Sequence, residues 1–463
     1  MMKTMELKVP APLDRDFAPL SVLLREYERD AAKGPTVPLA VNIEREDGCC
    51  DYFRLDAFPE GTEDDRTLDL AERMTKALLW MRGGWKITVC GSEKLYRKLA
   101  AAYTPEGERH FDSKFMGDVY DREFTVVREE DMARVKVRRD RAQSIGRHLN
   151  GCRIGFDAGG SDRKVSAVID GETVYSEEVV WFPKLQSDPN YHLQGIVEAF
   201  RTAAAHMPRV DGIGVSSAGV YIGNDATRDI SLFRSVPKEL FESGIRHIYT
   251  DAAARIGKDI PLAVANDGDV TALAGAMDLG EGNVLGVAMG TSEAGGYVDA
   301  DMRLMGWLTE LAFVPVDDFP GSMRDEWSGD YGCGVKYFSQ DAVIKLAPAA
   351  GIVLDESLSP AEKLKAVQAE MAAGSPGAGK IYETIGVYFG YAIAWYARFY
   401  NIRHVLIMGR VTSGEGGGIL LEKAKQVLRE EFPELDRKIA LHIPDEKSRR
   451  VGQSVAAASL PEV

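Results

Sequence analysis

Residues 152–168 read CRIGFDAGGSDRKVSAV, a short apolar strand that enters a glycine turn and continues as a second strand. Gly159 and Gly160 allow the backbone to approach a bulky anion, and successive N–H groups in such a turn can bind phosphate. Asp157 could hold a hydrated Mg²⁺, the ion that accompanies polyphosphates, and Ser161 could donate a hydrogen bond to phosphate. The alternative for this stretch taken alone is a plain hairpin turn.

The same pattern of strand, glycine turn and strand returns at residues 283–298, NVLGVAMGTSEAGGYV. Its candidate anion-binding residues are Gly290, Thr291 and Gly295. A hairpin is again the alternative. Two such turns, each at the end of an apolar strand, nevertheless favour two loops that face one nucleotide. The repetition also indicates two related lobes.

A third candidate stretch, Asn266-Asp267-Gly268-Asp269, follows the predicted strand PLAVAN and begins a predicted helix. In open α/β sheets, ligands bind outside the carboxyl ends of the strands. At this position Asp267 could accept a proton from an attacking hydroxyl, while Asn266 orients the substrate. The alternative is that Asp267 or Asp269 only caps the helix.

Composition and charge exclude several classes of protein. The 463 residues include 56 Lys+Arg and 71 Asp+Glu, a net charge of -15, which argues against a nucleic-acid partner. No apolar run is long enough to span a membrane, and the first residues lack the apolar segment of a signal peptide. The five cysteines are scattered, which fits reduced thiols and predicts a cytoplasmic protein.

Alternating strand and helix patterns predict an α/β fold with a mixed sheet. Within the near-neutral first 150 residues, strands are predicted at 38–45, 50–58, 85–91 and 122–127, and helices are predicted at 68–81 and from about 92 to 102. The basic run at 133–151 is interpreted as a solvated helix face or a hinge. A long amphipathic helix is predicted at 378–401.

Taken together, these residues resemble the ROK family of sugar kinases and repressors, within the actin/hexokinase-like ATPase superfamily. The resemblance covers about residues 151–463. Residues 157–161 are similar to the family's first phosphate loop, with serine in place of the usual threonine. The pair Asn266-Asp267 is similar to the family's Asn-Asp pair, whose aspartate is the catalytic base. Residues 290–296 resemble the second phosphate loop, in which two family glycines are replaced here.

The resemblance is weaker at the family's sugar and zinc motifs. Glu310 matches a sugar-binding glutamate, but the histidine that follows it in the family is Phe313 here. Gln340 replaces the second sugar-binding glutamate. Of three zinc cysteines only Cys333 remains, so we expect no zinc site. Gly409 matches one glycine of the adenosine loop, whose second glycine is an arginine here.

The resemblance implies a two-lobed, actin-like (ribonuclease H-like) ATPase fold, with an additional N-terminal α/β domain of unassigned role. The implied divisions are 1–150, 151–275 and 276–463, with the C-terminal helix packed back on the first lobe. The implied activity is ATP-dependent phosphorylation of a sugar or polyol, with ATP and Mg²⁺ as cofactors.

In this reading Asp267 is the base, and Asp157 holds Mg²⁺ through water. The implied nucleotide-binding residues are Asp157, Gly159, Gly160, Ser161, Gly290, Thr291, Gly295 and Gly409. The implied substrate contacts are Asn266, Glu310 and Gln340. A second copy of the chain is a further candidate partner.

Two alternatives remain open. The first is a ligand-binding protein that keeps the fold without efficient catalysis, because the second phosphate loop and the sugar motif are altered. The second is a transcriptional repressor, since ROK repressors carry a winged helix-turn-helix before this module. Residues 1–150 disfavour a repressor because they are near-neutral, contain several predicted strands and are about twice too long for one such unit.

Overall fold

The computed structural model describes residues 6–140, 146–160, 162–227, 232–444 and 446–463, and only the backbone of 446–451. Within these ranges, no helix has both the length and the apolar character needed to cross a bilayer.

Residues 6–140 form an α/β layer that precedes the two lobes. Its strands are β1 Val37–Glu44, β2 Cys50–Ala57, β3 Lys86–Cys90 and β4 Thr125–Glu129, and its helices are α1 Leu20–Ala31, α2 Asp64–Arg82, α3 Glu93–Ala102 and α4 His110–Tyr120. The sheet order is β2-β1-β3-β4. Strand β1 is antiparallel to both of its neighbours, and β3 is parallel to β4. Buried and exposed residues alternate along β2, as in a strand with one face on the core.

The strands and the helices predicted in this region are confirmed to within a few residues, but α1 and α4 have no predicted counterpart. The apolar periodicity that indicates a helix does not identify α4, because the buried face of this helix includes the polar residues Asp112 and Ser113. The interpretation of the basic run 133–151 as a helix face is wrong for its described part. After a 3₁₀ turn at Met132–Arg134 the chain is extended, and Arg139 pairs with Cys50 beside β2. Residues 141–145 of the run lie outside the described residues.

The first lobe contains a five-stranded sheet of order β11-β8-β5-β6-β7. Its strands are β5 Cys152–Ala158, β6 Asp162–Ile169, β7 Glu172–Val180, β8 Gly212–Ser217 and β11 Leu262–Asn266, with a small ribbon of β9 Tyr221–Ile222 and β10 Asp225–Ala226. Its helices are α5 Pro189–Ala204, α6 Phe241–Gly244, α7 Ile248–Ala254 and α8 Asp267–Leu279. Strands β5 and β6 are antiparallel, whereas β5, β8 and β11 run parallel. The turn that contains Gly159 and Gly160 therefore joins two antiparallel strands.

The second lobe repeats this arrangement in a four-stranded sheet of order β13-β12-β14-β15. Its strands are β12 Val284–Met289, β13 Glu293–Val298, β14 His404–Met408 and β15 Ala440–His442. Its helices are α9 Gln340–Leu346, α10 Pro360–Ala372, α11 Pro376–Tyr396, α12 Glu415–Glu431 and α13 Pro433–Asp436, and the chain ends with α14 Glu446–Ala458. An antiparallel hairpin, β12–β13, is again followed by two parallel strands. The two related lobes predicted from the repeated glycine turns are thus confirmed.

Helices α8 and α14 lie between the two sheets and contact each other. Helix α14 packs on the first-lobe sheet at two glycines. A Cβ on Gly155 would lie 1.9 Å from the carbonyl oxygen of Ser454, and one on Gly214 would lie 1.7 Å from that of Ala457. Helix α8 packs on the second-lobe hairpin in the same way, because a Cβ on Gly296 would lie 2.0 Å from the carbonyl oxygen of Gly268. Small residues therefore set the spacing between the lobes.

The N-terminal layer and the second lobe share one continuous hydrophobic cluster. Phe17 illustrates the contact, since its ring centroid lies 4.6 Å from that of Tyr388 and 5.9 Å from that of Tyr391 on α11. The first lobe has a separate cluster between its sheet and helices α5 and α7. The layer is thus packed into the second lobe, and the domain boundary at residue 150 stays a prediction.

We expect Gly214→Ala to lower the free energy of unfolding by about 3 kcal/mol, because overpacking at a rigid backbone contact costs this order of energy. The matched control is Gly379→Ala in α11, where an added Cβ meets nothing within 4 Å and alanine favours the helix. Denaturant unfolding followed by circular dichroism compares the two variants. Equal stability of the variants would contradict the close packing of α14.

Candidate functional site

Four carboxylates from both lobes line the space around the start of α8: Asp157, Asp267, Asp269 and Glu310. Asp157 ends β5 and accepts a hydrogen bond of 2.9 Å from the hydroxyl of Ser216. Burial raises the pKa of Asp157 to about 6, and the charge of Asp267 adds to the rise. Asp157 and Asp267 therefore lie close enough to influence each other's ionisation, as a shared site requires.

Asp267 is the first residue of α8 and is half-buried. The cap of this helix is Asn266, whose Oδ1 accepts a hydrogen bond of 2.8 Å from Gly268 N while its Nδ2 donates to Gly219 O at 2.9 Å. The alternative in which an aspartate alone caps the helix is therefore wrong, although Asp267 also accepts from Gly268 N at 3.0 Å. Burial raises the pKa of Asp267, while the N–H of Gly268 and the charge of Lys184 act in the opposite direction.

Asp269 and Glu310 complete the group. Asp269 accepts a hydrogen bond of 3.1 Å from Tyr297 N and so attaches α8 to β13. Burial raises the pKa of Asp269 to about 7, and the charges of Asp267 and Glu310 contribute. Burial likewise raises the pKa of Glu310 to about 7, with a further rise from Asp267. The charge of Asp267 thus makes the other three carboxylates harder to ionise, and a cation or a hydrogen-bond donor in the site would relieve this.

The first glycine turn lies against a lysine that the sequence patterns did not identify. The carbonyl oxygen of Gly159 accepts a hydrogen bond of 2.7 Å from Trp181 Nε1, which holds the turn. A methyl group on Gly160 would lie 3.1 Å from Lys184 Nζ. The charge of Lys184 also lowers the pKa of Asp267, so this ammonium acts on the carboxylate as well as lying against the turn. Ser161, the predicted phosphate donor, lies outside the described residues.

Lys184 belongs to a 3₁₀ turn, Pro183–Leu185, after β7. In the sequence WFPKLQ it follows a proline in a loop, with no motif around it. A lysine at such a position is ordinarily a solvated surface residue. Only the β5-β6-β7 meander, which brings the end of β7 beside the first turn, places Lys184 in the cleft.

The second glycine turn lies next to the predicted adenosine loop. Gly290 N donates to Ser292 O at 2.9 Å, and Gln340 N donates to Gly290 O at 2.9 Å. Thr291 is exposed at the tip of the turn. Gly409 has φ of +99° after β14, and a Cβ there would lie 2.2 Å from the carbonyl oxygen of Met289. The structure thus brings Gly290, Thr291 and Gly409 together.

Two predicted residues are placed differently. Gly295 lies not in the turn but within β13, where a Cβ would lie 2.6 Å from the side chain of Leu311. This close packing explains why residue 295 is a glycine. A contact between Gly295 and a nucleotide stays a prediction. Gln340 is buried at the start of α9, and its backbone supports the second turn. Its substrate contact also stays a prediction.

The positions that resemble the zinc motif contact the N-terminal layer. The ring of Phe313 lies 4.3 Å from that of Trp80 and 5.3 Å from that of Phe111. The thiol of Cys333 is buried 3.8 Å from Lys76 Nζ, and burial raises the pKa of the Cys333 thiol to about 11. In the described part of the chain, no three His, Cys, Asp or Glu side chains are grouped so that they could hold a metal ion.

Comparisons with known proteins concern the fold. No family model and no curated protein matches the chain. The structure is similar to a solved ROK family transcriptional regulator, a homologue of the E. coli MLC protein, at 21% identity and a TM-score of 0.52, covering 67% of this chain and 79% of that chain.

Two enzymes are among the other similar structures. A ROK hexokinase from Thermus thermophilus has 19% identity and a TM-score of 0.49, covering 66% of this chain and 97% of that chain. A ROK family glucokinase from Streptomyces griseus, solved with glucose and AMPPNP, has 20% identity and a TM-score of 0.45, covering 66% and 98%.

These findings place the chain in a fold class. The likeness to the regulator confirms the two-lobed α/β fold that the resemblance to ROK proteins implied. The resemblance to the ROK family is thereby confirmed in the fold, while activity and ligands are matters of proposal.

The raised pKa of Glu310 predicts how stability varies with pH. Its ordinary value is 4.5 and its value in the folded protein is about 7. Between these values the folded state holds a proton that the unfolded state has released, so the free energy of unfolding falls as pH rises through this window. One such group changes it by up to about 1.4 kcal/mol per pH unit. We therefore expect Glu310→Gln to flatten the decline in Tm between pH 5 and pH 7.

The control for this measurement is Glu434→Gln at an exposed position of α13. The control variant should follow the original protein across the same pH range in thermal unfolding. Parallel curves for the original chain and Glu310→Gln would show that Glu310 ionises normally in the folded state.

Proposed function

We propose that this protein is a ROK-type kinase that transfers the γ-phosphoryl group of ATP to a hydroxyl of a sugar or polyol. The observation that carries the proposal is the position of Asp267. It begins α8 at the carboxyl end of β11, the charge of Lys184 lowers its pKa, and the Lys184 ammonium lies against the first glycine turn. A base, a cation and an anion-binding turn are thus adjacent, which is the set of groups that phosphoryl transfer requires.

In this proposal the two glycine turns bind the triphosphate through their backbone N–H groups, and Gly409 borders the adenosine. Mg²⁺ usually binds to one or two carboxylates, to phosphate oxygens and to several waters, so Asp157 alone on the protein side is a sufficient donor. The buried, acidic surroundings of Asp157 fit a divalent cation, because a cation lowers the cost of its ionised form. Bound Mg²⁺ would neutralise charge on the phosphates.

The chemistry assigned to this chain is proton removal and charge stabilisation. The acceptor oxygen forms a bond to the γ-phosphorus, the bond to the ADP oxygen breaks, and the hydroxyl proton passes to Asp267. Asn266 is fixed by its two hydrogen bonds and can position the acceptor beside this carboxylate. The Lys184 ammonium lies where the transferring phosphoryl group carries negative charge. Glu310 faces the same space and is the proposed contact for a second hydroxyl of the acceptor.

A second candidate is a ligand-binding protein of the same fold without turnover. The observation that favours it is the packing of Phe313 against Trp80 and Phe111 at the position of the family's sugar-motif histidine. A regulator is also among the proteins with this fold. The N-terminal layer, however, shares its core with the second lobe and does not form a separate DNA-reading unit.

We expect Asp267→Asn to lower kcat by about 10²- to 10⁴-fold, the usual contribution of a general base, while ATP–Mg²⁺ still binds. Turnover is measured with a coupled ADP assay over a panel of sugars, amino sugars and polyols. Binding is measured as the rise in Tm with millimolar ATP–Mg²⁺, which stabilises any protein that binds it. Near-normal turnover of the variant would exclude Asp267 as the base. A Tm shift without turnover in the unmodified chain would favour the binding protein.

The variant Lys184→Met tests whether the Lys184 ammonium contacts the terminal phosphate of ATP. Removing a charge-assisted hydrogen bond to phosphate should lower kcat/KM for ATP by about 10- to 100-fold. The Tm shift produced by ATP should also fall towards the shift produced by ADP, because the lost contact is to the terminal phosphate. Lys238→Met, at an exposed position, is the control and should leave both quantities unchanged. An equal loss of ATP and ADP binding would place Lys184 away from the terminal phosphate.

A further inference from the structure

A cavity of about 110 Å³ lies beside the start of α8, with walls from three parts of the chain. The N-terminal layer contributes Glu46 and Tyr120. The first lobe contributes the loop 219–223 together with Asn266 and Asp269 of the site described above, and the second lobe contributes 304–308. Since one water needs roughly 10–15 Å³, this volume holds several water-sized groups, which suits part of a small ligand.

The charge of the cavity walls is one-sided. Glu46 and Asp269 contribute carboxylates, and among the residues that the structure describes no lysine, arginine or histidine lines the cavity. Tyr120, Tyr221 and Trp307 also line the cavity, although the Trp307 ring already lies 3.7 Å from the guanidinium of Arg82 and 4.8 Å from that of Arg138. The two carboxylates, with the tyrosine rings beside them, favour a cation and disfavour an anion, because they present negative electrostatic potential to the ligand.

Glu46 is held at the cavity by the turn between β1 and β2. The turn places Asp47 at φ of +52° and Gly48 at +71°, so the chain reverses immediately after Glu46. Glu46 is half-buried, and burial together with Asp47 and Asp121 raises its pKa, against the charge of Arg122. A cationic ligand group would relieve the cost of burying this carboxylate.

The N-terminal layer also contacts the first lobe near this cavity. Arg246 lies 3.2 Å from Asp121, the residue after α4, and this ion pair links the layer to the first lobe. The same layer is fixed to the second lobe by their shared core. The cavity is therefore walled on the N-terminal side by residues that are held against both lobes.

The cavity adjoins the proposed catalytic base without including it. Asn266 and Asp269 line the cavity, whereas Asp267 between them is not a lining residue. A substrate held by Asn266 could thus direct one hydroxyl towards Asp267 and place another substituent in the cavity.

We propose that the N-terminal layer completes the acceptor site, and that this cavity binds an ammonium-bearing substituent of the acceptor between Glu46 and Asp269. This proposal rests on the kinase function proposed above, in which another part of the same acceptor carries the hydroxyl that faces Asp267. It makes Glu46 a specificity-determining residue and gives the N-terminal layer a direct part in substrate choice.

The test compares three probes of similar size and different charge: glucosamine, glucose and gluconate. Binding of each is measured by calorimetry without nucleotide, and phosphorylation is measured separately by ADP release with ATP–Mg²⁺. We expect glucosamine to bind most tightly and gluconate most weakly. Glu46→Gln should weaken glucosamine binding about 10-fold, as expected for the loss of one charged hydrogen bond, and leave glucose binding within about twofold.

Two further variants serve as controls. Glu46→Asp keeps the charge and should retain the preference for glucosamine over glucose. Glu108→Gln changes an exposed glutamate of the same layer and should behave as the unmodified chain. Thermal unfolding of every variant shows whether it is folded.

The outcomes separate the two proposals. Glucosamine binding that depends on Glu46, without ADP release for any probe, would support the cavity and overturn the kinase. Phosphorylation with no preference for glucosamine, or with a preference that Glu46→Gln leaves intact, would overturn the cavity proposal and leave the kinase standing. Failure of all three probes to bind would also overturn the cavity proposal.

Discussion

The arrangement of this molecule depends on one buried carboxylate, Asp330, which is shared by three cations of the N-terminal layer. Its oxygens lie 2.6 Å from Lys76 Nζ, 2.8 Å from Arg73 and 2.9 Å from Arg109. Burying charges is costly unless they are paired, and removing one partner of such a group costs about 3–5 kcal/mol. Further carboxylates offset the remaining positive charge: Glu72 lies 2.7 Å from Arg109, Asp318 lies 3.4 Å from Arg73, and Asp112 lies 3.8 Å from Lys76. Because the cations come from the layer and Asp330 comes from the second lobe, the charges are satisfied only when the two are docked.

This docking reaches the candidate site through the end of α2. The backbone N–H groups of Leu308, Thr309 and Glu310 donate to the carbonyl oxygens of Arg82, Met81 and Trp80. The last turn of α2 therefore supports the segment that carries Glu310 and Phe313. The resemblance to the ROK family implies a zinc motif near this segment, but here Cys333 lies beside Lys76 within the ion-pair group. Ion pairs and aromatic packing thus join the N-terminal layer to the second lobe, and they bring this layer to the cleft.

Much of the site could be predicted because its residues lie next to each other in the chain. Gly159 and Gly160 form one turn, Gly290 and Thr291 form another, and Asn266 and Asp267 follow a strand whose apolar pattern is clear. Residues that belong to no motif and reach the site only through the fold could not be predicted. Lys184 reaches the first turn through the β5-β6-β7 meander. Gly295 packs closely against the side chain of Leu311, which is distant from it in sequence. Helix α4 was obscured by its buried polar residues Asp112 and Ser113, of which Asp112 accepts a hydrogen bond from the distant Trp80.

The amino-acid sequence by itself determined the two lobes, the glycine turns and the position of the candidate base, because each depends on short-range pattern and on backbone freedom at glycine. Only the tertiary structure decided where residues 6–140 pack. Their apolar surface is covered by the second lobe, and their cations are neutralised by Asp330. Such long-range burial of charge and of apolar surface leaves no local pattern, yet it is what brings Glu46 and Tyr120 to the wall of the cleft.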